Sequence, residues 1–333
     1  MKKVTIADVA QHANVSKSTV SQYLNNRFDY MREETKNRIE ESIKELGYRP
    51  NIVARSLKQK STTTIGVIVA NILHTFSTQV IRAIEDTCQE AEFHTIVCNA
   101  DDDPDKERKY IEMLRAKQVD GIILLPTGDN ATLYNEMLTE GYPIVFVDRT
   151  VPGVPLPSML LDNEKASGMG VQHFIDRGYS KIGIITNVIR NVTPRMERIN
   201  GYKNTMTANG LEIRDDYIKS LEVNKIREGV RELLTLDDPP EAILAGNDLT
   251  LIEILKYVKE NHVKIPEDLA IIGIDDVSFA GFYEPGLTIV AQPTFEIGKK
   301  AAEYLLNKIQ KKEDQDEGLV FRFDPKLIIR ESC

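Results

Sequence analysis

The sequence has little cysteine and no long apolar run, and both shortages limit the class of protein. Its three cysteines among 333 residues are an odd number without the spacing of metal ligands, so they define no disulfide framework. The N-terminus MKKVTIADVA has no apolar core of the kind that a signal peptide carries. The longest apolar stretches, such as 65–70 and 121–126, are too short to cross a membrane. We therefore expect a cytoplasmic protein with no membrane partner.

Motifs of the common enzyme classes are also missing. The chain has no P-loop, no G-x-S-x-G elbow, no H-E-x-x-H pair and no complete G-x-G-x-x-G fingerprint. Its five histidines lie far apart in the sequence, which disfavours a zinc site. Asp101, Asp103, Asp105 and Glu112 match four positions of a calcium loop, but Lys106 replaces the required glycine and an acidic helix start explains the run equally well. We expect no catalytic residues, no metal and no cofactor.

Charge is unevenly distributed along the chain. Residues 1–60 contain 12 Lys and Arg against 7 Asp and Glu, whereas the remainder contains 30 basic and 44 acidic residues. The first segment is therefore basic and the rest strongly acidic. This asymmetry is typical of a basic module for a polyanion joined to an acidic body. The length predicts two or three domains.

The segment TIADVAQHANVSKSTVSQYL, residues 5–24, predicts two short helices joined by a tight turn. Its apolar residues recur at helical spacing, at Ile6, Val9, Ala10 and Ala13 and then at Val15, Val20, Tyr23 and Leu24. Thr5 with Asp8, and Ser16, have the composition of helix caps. Lys17, Ser18 and Gln22 are left pointing outward. This is the pattern of a helix that reads the major groove, with an ordinary helical hairpin as the alternative.

Two further helices are predicted before residue 64. A third helix covers Glu33 to Leu46 and ends at Gly47. After Pro50, a helix of about two turns is expected from Asn51 to Lys58, followed by a polar linker from Gln59. A helix this short is marginal by itself. We expect DNA or a symmetry mate to order it.

From Thr64 onward, short β-branched apolar runs alternate with amphipathic helices. Strands are predicted at 65–70, 95–99, 121–125 and 144–147, then at 181–186, 242–245 and 270–274, and finally at 287–293 and near 319–329. Helices are predicted near 77–92, 105–117, 130–140, 163–177, 196–209, 226–235, 249–261 and 294–310. Buried parallel strands have this composition. The alternation therefore predicts two doubly wound α/β lobes of similar size.

Polar and aromatic residues lie just past the strands, where open α/β sheets bind their ligands. They are His74 and Phe76, Asp148 and Arg149, Asn247 and Asp248, Asp275 and Asp276, and Gln292, while Arg195 and Arg198 open a helix of the second lobe. Carboxylates and amides bind sugar hydroxyls, and an arginine binds a carboxylate or phosphate bidentately. Each residue alone could instead cap a strand or a helix. Together, in two facing lobes, they favour a cleft for a small polar ligand.

The whole chain resembles the lactose-repressor (LacI/GalR) family of bacterial transcription regulators. The motifs that carry the resemblance are TIADVAQHANVSKSTVSQYLN, LGYRPNIVARSL, VDR, AGNDL, IIGIDD and IVAQP. It implies an all-α helix-turn-helix headpiece (1–49), a hinge helix with linker (50–63) and an α/β core similar to periplasmic sugar-binding proteins. The first core lobe would be 64–160 plus 290–318, and the second 161–289 plus 319–333. The chain would cross between these lobes three times.

The resemblance also implies a homodimer that binds a near-palindromic, double-stranded operator with the second helix in the major groove. Lys17, Ser18 and Gln22 match the base-reading positions. Thr5, Thr19, Ser21 and Asn25 would position the DNA backbone, Tyr48 and Asn51 would flank the hinge, and Arg55 would contribute to binding on every sequence. Leu57 matches the hinge leucine that is wedged into the minor groove, where an apolar side chain unstacks a base step.

In the core, the family pattern predicts that a small sugar-like effector contacts ten residues. They are His74, Phe76, Asp148, Arg149, Arg195, Arg198, Asn224, Asn247, Asp275 and Gln292. The spacing near Arg195 leaves open whether Arg195 or Arg198 faces the ligand. Several arginines at the cleft suggest an acidic sugar or a sugar phosphate. The resemblance, which extends to family members that control the use of 2-keto-3-deoxygluconate, implies this sugar acid as the candidate. A solute-binding protein for a sugar is the alternative function, and the basic headpiece disfavours it.

Overall fold

The computed structural model describes residues 4–49, 61–190, 192–310 and 320–333, and three helices lie in the first of these ranges. They are α1 (Ile6–His12), α2 (Lys17–Leu24) and α3 (Glu33–Leu46). Thr5 caps α1, because its hydroxyl oxygen accepts from the Asp8 N–H while the Asp8 carboxylate accepts from the Thr5 N–H. Ser16 caps α2 by accepting from the Thr19 N–H at 3.1 Å. Both predicted caps are confirmed.

The headpiece core is small and lies between the three helices. Val9, Val20 and Ile39 are fully buried at its centre, and each contributes about 1.5–3 kcal/mol by burial. Asn14, with φ +51°, turns the chain between α1 and α2, and Gly47, with φ +60°, ends α3 as predicted. The left-handed backbone at these positions suits Asn and Gly, which tolerate it best. The predicted hinge helix falls mainly on residues 50–60, outside the described residues.

Residues 63–333 form a separate unit whose described part contains two six-stranded sheets. The first sheet contains β1 (Thr64–Val69), β2 (His94–Asn99), β3 (Gly121–Leu124), β4 (Ile144–Val147), β5 (Ser158–Leu161) and β11 (Val320–Phe323). The second contains β6 (Ile182–Asn187), β7 (Ile218–Leu221), β8 (Ala242–Ala245), β9 (Ala270–Ile274), β10 (Thr288–Ala291) and β12 (Lys326–Ile328). The strand orders, β2-β1-β3-β4-β5-β11 and β7-β6-β8-β9-β10-β12, correspond position by position.

Helices cover both faces of each sheet. The first lobe contains α4 (Thr75–Glu90), α5 (Pro104–Ala116), α6 (Ala131–Thr139) and α11 (Thr294–Ile309), and the second contains α7 (Asn163–Asp176), α8 (Thr193–Ala208), α9 (Ile226–Leu234) and α10 (Asp248–Glu260). On β1, Val67 and Val69 belong to one buried cluster and Ile68 to another, as expected for a strand buried on both faces. Two doubly wound lobes are therefore confirmed. Nowhere in the described ranges does a helix have the length and apolar character of a membrane span.

The end of the chain differs from the prediction. The prediction of a single strand near 319–329 in the second lobe is wrong. The segment forms two strands, since β11 pairs with β5 in the first sheet and β12 pairs antiparallel with β10 in the second. Asp324 and Pro325 separate β11 from β12, and a proline has no N–H to donate to a ladder. Strand β10 lies wholly in the second sheet, so the first lobe resumes at α11 and not at residue 290.

In the described part of the core, the chain passes between the lobes at three places, between β5 and α7, between β10 and α11, and between β11 and β12. This number agrees with the prediction. Strands β5 and β7 were not predicted from the sequence. Only three apolar residues follow Ser158 in β5, and Lys219 and Ser220 interrupt the apolar run of β7, so neither segment has the pattern on which the strand predictions depended.

Candidate functional site

The exposed face of α2 contains the side chains that the sequence assigned to base reading. Lys17, Ser18 and Gln22 are exposed, while Val20 on the opposite face is buried. The Ser16 hydroxyl binds those of Ser18 at 2.6 Å and Thr19 at 2.8 Å, so the start of the helix is ordered locally. The donors and acceptors on a polar helix face of this kind can form hydrogen bonds with those on base edges in the major groove.

The residues predicted to position DNA lie around that face. Thr5 is exposed, and Thr19, Ser21 and Asn25 are half-buried. Tyr48 is half-buried against the headpiece core, and this burial raises the pKa of its hydroxyl. Three further predicted DNA contacts lie outside the described residues, at Asn51, Arg55 and Leu57.

A cleft opens between the two lobes at the carboxyl ends of their strands. It is lined by Asn71 and His74 beyond β1, by Asp148 and Arg149 beyond β4, and by Asn247, Asp275 and Gln292 beyond β8, β9 and β10. Asp148 and Asp275 occupy corresponding positions in the two lobes, and both have left-handed backbones, with φ +70° and +90°. Such a backbone is costly for a residue other than glycine and is concentrated at functional sites.

Hydrogen bonds order the wall of the cleft in the second lobe. The Gln292 amide Nε2 donates to Asp275, and the Asn247 amide donates to Asn187. Burial, and then the negative charge of Asp248, raise the pKa of the Asp275 carboxyl. The Gln292 Oε1 is buried and finds no hydrogen-bond partner in the part of the chain that the structure describes. A buried acceptor without a donor is costly, and a ligand hydroxyl would satisfy it.

Three guanidinium groups reach the cleft, but they are held differently. Arg149 donates to Asp148 at 3.2 Å and to the Pro126 carbonyl at 3.2 Å. Arg198 is buried and donates to Asn163 Oδ1 at 2.9 Å and to the Gly246 carbonyl. Arg195 donates to the carbonyl of Val188.

Arg195 is half-buried beside the other two guanidinium groups. Burial, followed by the nearby positive charge of Arg149, lowers the pKa of its guanidinium to about 10. Among the described residues, no carboxylate lies within salt-bridge distance of Arg195. An anion bound beside Arg195 would relieve both the burial cost and the repulsion from Arg149.

A second compartment adjoins the first and shares Asn71, His74 and Arg195 with it. We call the first the inner compartment and the second the outer compartment. The polar lining of the outer compartment includes Asp102, Thr127, Asp129, Asn187 and Glu222. The cavity volume is about 40 Å³ in the inner compartment and about 150 Å³ in the outer one, which is below the range of most small-molecule sites.

Nine of the ten residues predicted to contact an effector line the inner compartment. They are His74, Phe76, Asp148, Arg149, Arg195, Arg198, Asn247, Asp275 and Gln292. The tenth, Asn224, is exposed in a short 3-10 helix, and its neighbours Glu222 and Val223 line the outer compartment instead. Both Arg195 and Arg198 reach the inner compartment, whereas only Arg195 also lines the outer one.

Sequence reasoning missed several lining residues, notably Asn71, Ser77 and Asn187. Asn187 is the last residue of β6, so the strand-end rule that found the others also applies to it. The acidic run near residue 101 has a structural explanation, because Asp101 pairs with Lys106 and Asp103 caps α5. Within the described ranges, no group of His, Cys, Asp or Glu could hold a metal ion.

A helix-turn-helix module followed by a two-lobed α/β core with a polar cleft defines a class of protein, the ligand-responsive DNA-binding regulators. Comparison with known proteins agrees. A model of the bacterial regulatory proteins of the lacI family matches residues 5–51, and a model of the periplasmic binding protein-like domain matches residues 171–333.

The chain belongs to the lactose-repressor (lacI) family of bacterial regulatory proteins, and it is a DNA-binding transcriptional repressor. It is 48% identical over 332 residues, 98% of each chain, to the probable transcriptional regulator EndR of Paenibacillus polymyxa. It is 33% identical to the transcriptional regulator KdgR of Bacillus subtilis, covering 98% of this chain and 97% of that one. A crystal structure of the Lac repressor bound to ONPG has the same fold, with a TM-score of 0.87, 24% identity and coverage of 100% of both chains.

Proposed function

We propose that this repressor binds a near-palindromic operator as a cytoplasmic homodimer and that an acidic sugar in the interlobe cleft weakens this binding. The candidate effector is 2-keto-3-deoxygluconate. In this proposal α2 enters the major groove, Leu57 reaches the minor groove, and the acidic core stays away from the DNA.

The environment of Arg195 is the observation that carries the choice of an acidic ligand. Asp148 is paired with Arg149 at 3.2 Å, and Asp248 is paired with His74 at 2.6 Å. Arg195 has only a backbone carbonyl as its hydrogen-bond acceptor among the described contacts. A ligand carboxylate would complete this cluster, since charge-assisted bonds to arginine are strong and directional. Gln292 Oε1 and Asp275 would then receive the sugar hydroxyls.

Binding to DNA and to the effector must be coupled reciprocally. The factor by which the effector lowers the affinity for operator is also the factor by which the operator lowers the affinity for effector. Couplings of this kind typically amount to about 1–3 kcal/mol, or roughly 5- to 150-fold in affinity.

Two measurements test the proposal. Calorimetry compares 2-keto-3-deoxygluconate, its 6-phosphate and neutral hexoses, and a mobility-shift assay uses the DNA upstream of the protein's own gene with and without each compound. We expect an acidic compound to bind and to reduce the shift. Tight binding of a neutral hexose alone would reject an acidic effector, and no shift with any operator-like DNA would reject this DNA target.

Gln22→Ala should change base preference at one position of each operator half-site. Gln22 is exposed on α2, and a glutamine amide that pairs bidentately with adenine contributes about 1–3 kcal/mol of discrimination. Fluorescence anisotropy on a set of single-base operator variants should therefore show a flattened preference at that position only. The control is Arg55→Ala, which we expect to weaken binding to every variant by a similar factor. A uniform loss for both proteins would contradict the base-reading role of Gln22.

A further inference from the structure

Helix α4 of the first lobe is capped by a carboxylate from the second lobe. His74 occupies the N-cap position of α4, but its side chain makes no capping hydrogen bond. Instead, Asp248 Oδ2 accepts from the Thr75 N–H at 2.6 Å. Asp248 Oδ1 lies 2.6 Å from Nδ1 of His74. One carboxylate thus satisfies a free helix N–H and binds an imidazole at the same time.

This contact does not follow from chain connectivity. His74 follows β1 and Asp248 begins α10, and neither is next to one of the three passages between the lobes. The Asp248 side chain is 1% exposed and that of His74 is 14% exposed. The contact therefore exists only when the lobes are close enough to exclude water from it.

The electrostatics favour an ionised carboxylate at Asp248. Burial alone would raise the pKa of Asp248, but the hydrogen bond and charge of His74 and the N–H groups of Thr75 and Leu249 together lower it. An ionised carboxylate only accepts hydrogen bonds, so Nδ1 of His74 carries the proton. The nitrogen of His74 that is left for a ligand is Nε2.

The same contact reaches the wall of the cleft. The Asp248 N–H donates to Asp275 Oδ2 at 3.2 Å, and Asp275 is bound in turn by Gln292. His74 lines both compartments of the cleft. A continuous set of hydrogen bonds thus joins the start of α4 in the first lobe to the ligand-facing carboxylate of the second.

We propose that Asp248 is a positioning residue that holds the two lobes closed and orients His74 toward the ligand. In its ligand-binding part this inference rests on the proposed effector function, but the closure of the lobes does not depend on what the effector is. Asp248 would act through His74 and Thr75 without touching the ligand itself.

The variant Asp248→Ala removes the contacts of Asp248 with His74 and Thr75. It leaves α10 capped, because Asn247 Oδ1 still accepts from the Thr250 N–H at 2.9 Å. Small-angle scattering of the whole ligand-free protein should show a larger radius of gyration for this variant than for the wild type. His74→Ala should have the same direction of effect, and the double variant should expand no further than Asp248→Ala. An unchanged radius for Asp248→Ala would overturn the proposal.

Glu197→Gln is the matched control, because it weakens another ion pair between the lobes. Glu197 on α8 binds Arg322 on β11 at 2.8 Å, next to the passage between β11 and β12, and the pair is partly exposed. Exposed pairs contribute little, so this variant should keep the wild-type radius. Equal expansion of Glu197→Gln and Asp248→Ala would also overturn the proposal, since the loss of any ion pair between the lobes would then open them to the same extent.

A second measurement addresses the ligand. If 2-keto-3-deoxygluconate binds the wild type, it should dissociate from Asp248→Ala at least about tenfold faster, because charge-assisted hydrogen bonds of the closed state are lost. Equal dissociation rates would overturn the positioning role. Failure of this compound to bind the wild type would count against the proposed effector, and the scattering comparison would still decide whether Asp248 holds the lobes together.

Discussion

Arg195→Met should abolish the response of this repressor to an acidic effector while leaving operator binding in place. Truncating one member of a buried charge pair typically costs about 2–5 kcal/mol, so effector affinity should fall at least about thirtyfold. Calorimetry measures the affinity, and a mobility-shift titration measures whether the effector still releases DNA. Arg195 lies in the core unit, so the exposed face of α2 is unchanged.

The ligand-free variant should be at least as stable as the wild type. Burial and Arg149 lower the pKa of Arg195 to about 10, which means that the folded protein disfavours its charged form. At neutral pH the charge is nevertheless present, so replacing it with a methionine removes an unfavourable term. A melting temperature equal to or above that of the wild type is expected.

Arg190→Met is the matched control for the loss of an arginine. Arg190 lines only the outer compartment and forms an exposed pair with Glu222 at 2.8 Å. We expect a change in effector affinity of less than about threefold, as for an exposed pair. If Arg190→Met and Arg195→Met weakened effector binding equally, the carboxylate site would not be at Arg195.

Gly201→Ala should strongly destabilise the second lobe. A Cβ at this position of α8 would lie 2.2 Å from the Glu164 carbonyl oxygen and 2.7 Å from the Glu164 Cα, both backbone atoms of α7. Neither can rotate away, so the two helices must separate. Overpacking typically costs about 1–3 kcal/mol and occasionally more, and we expect at least about 3 kcal/mol in urea unfolding. Effector binding should fall as well, because α8 carries Arg195 and Arg198.

Gly168→Ala tests the same pair of helices at a position where the added methyl group would meet a side chain and not the backbone. A Cβ at Gly168 of α7 would lie 2.8 Å from the Thr205 hydroxyl oxygen, and a side-chain end can rotate. This variant should lose clearly less stability than Gly201→Ala. Similar unfolding midpoints for Gly201→Ala and the wild type would show that α7 and α8 are not held as closely as the structure places them.

Much of the fold was predictable because it depends on local chemistry. The caps at Thr5 and Ser16 and the stop at Gly47 follow from side chains within three residues and from backbone preference. The buried strands were readable because both of their faces are apolar. Strands β5 and β7 were not, because β5 has only three apolar residues and β7 is a half-buried edge strand that contains Lys219 and Ser220.

The site was predictable for a different reason. Strands of a doubly wound sheet end at one edge, so polar residues that follow the strands must meet there. This rule located His74, Asp148, Asn247 and Asp275 together. Asn224 was predicted from the family pattern and not by this rule, and its side chain is exposed in the short 3-10 helix that follows β7.

By itself, the sequence determined the headpiece, the two parallel sheets and the polar edge at which a ligand can bind, because helix caps, turn residues and apolar periodicity act over a few residues. The tertiary structure decided that β11 joins the first sheet and β12 the second, which groups hold each arginine, and that Asp248 caps a helix in the opposite lobe. His74 and Asp248 are 174 residues apart, and only packing of the two lobes brings such groups within hydrogen-bond distance, so no local pattern can encode their meeting.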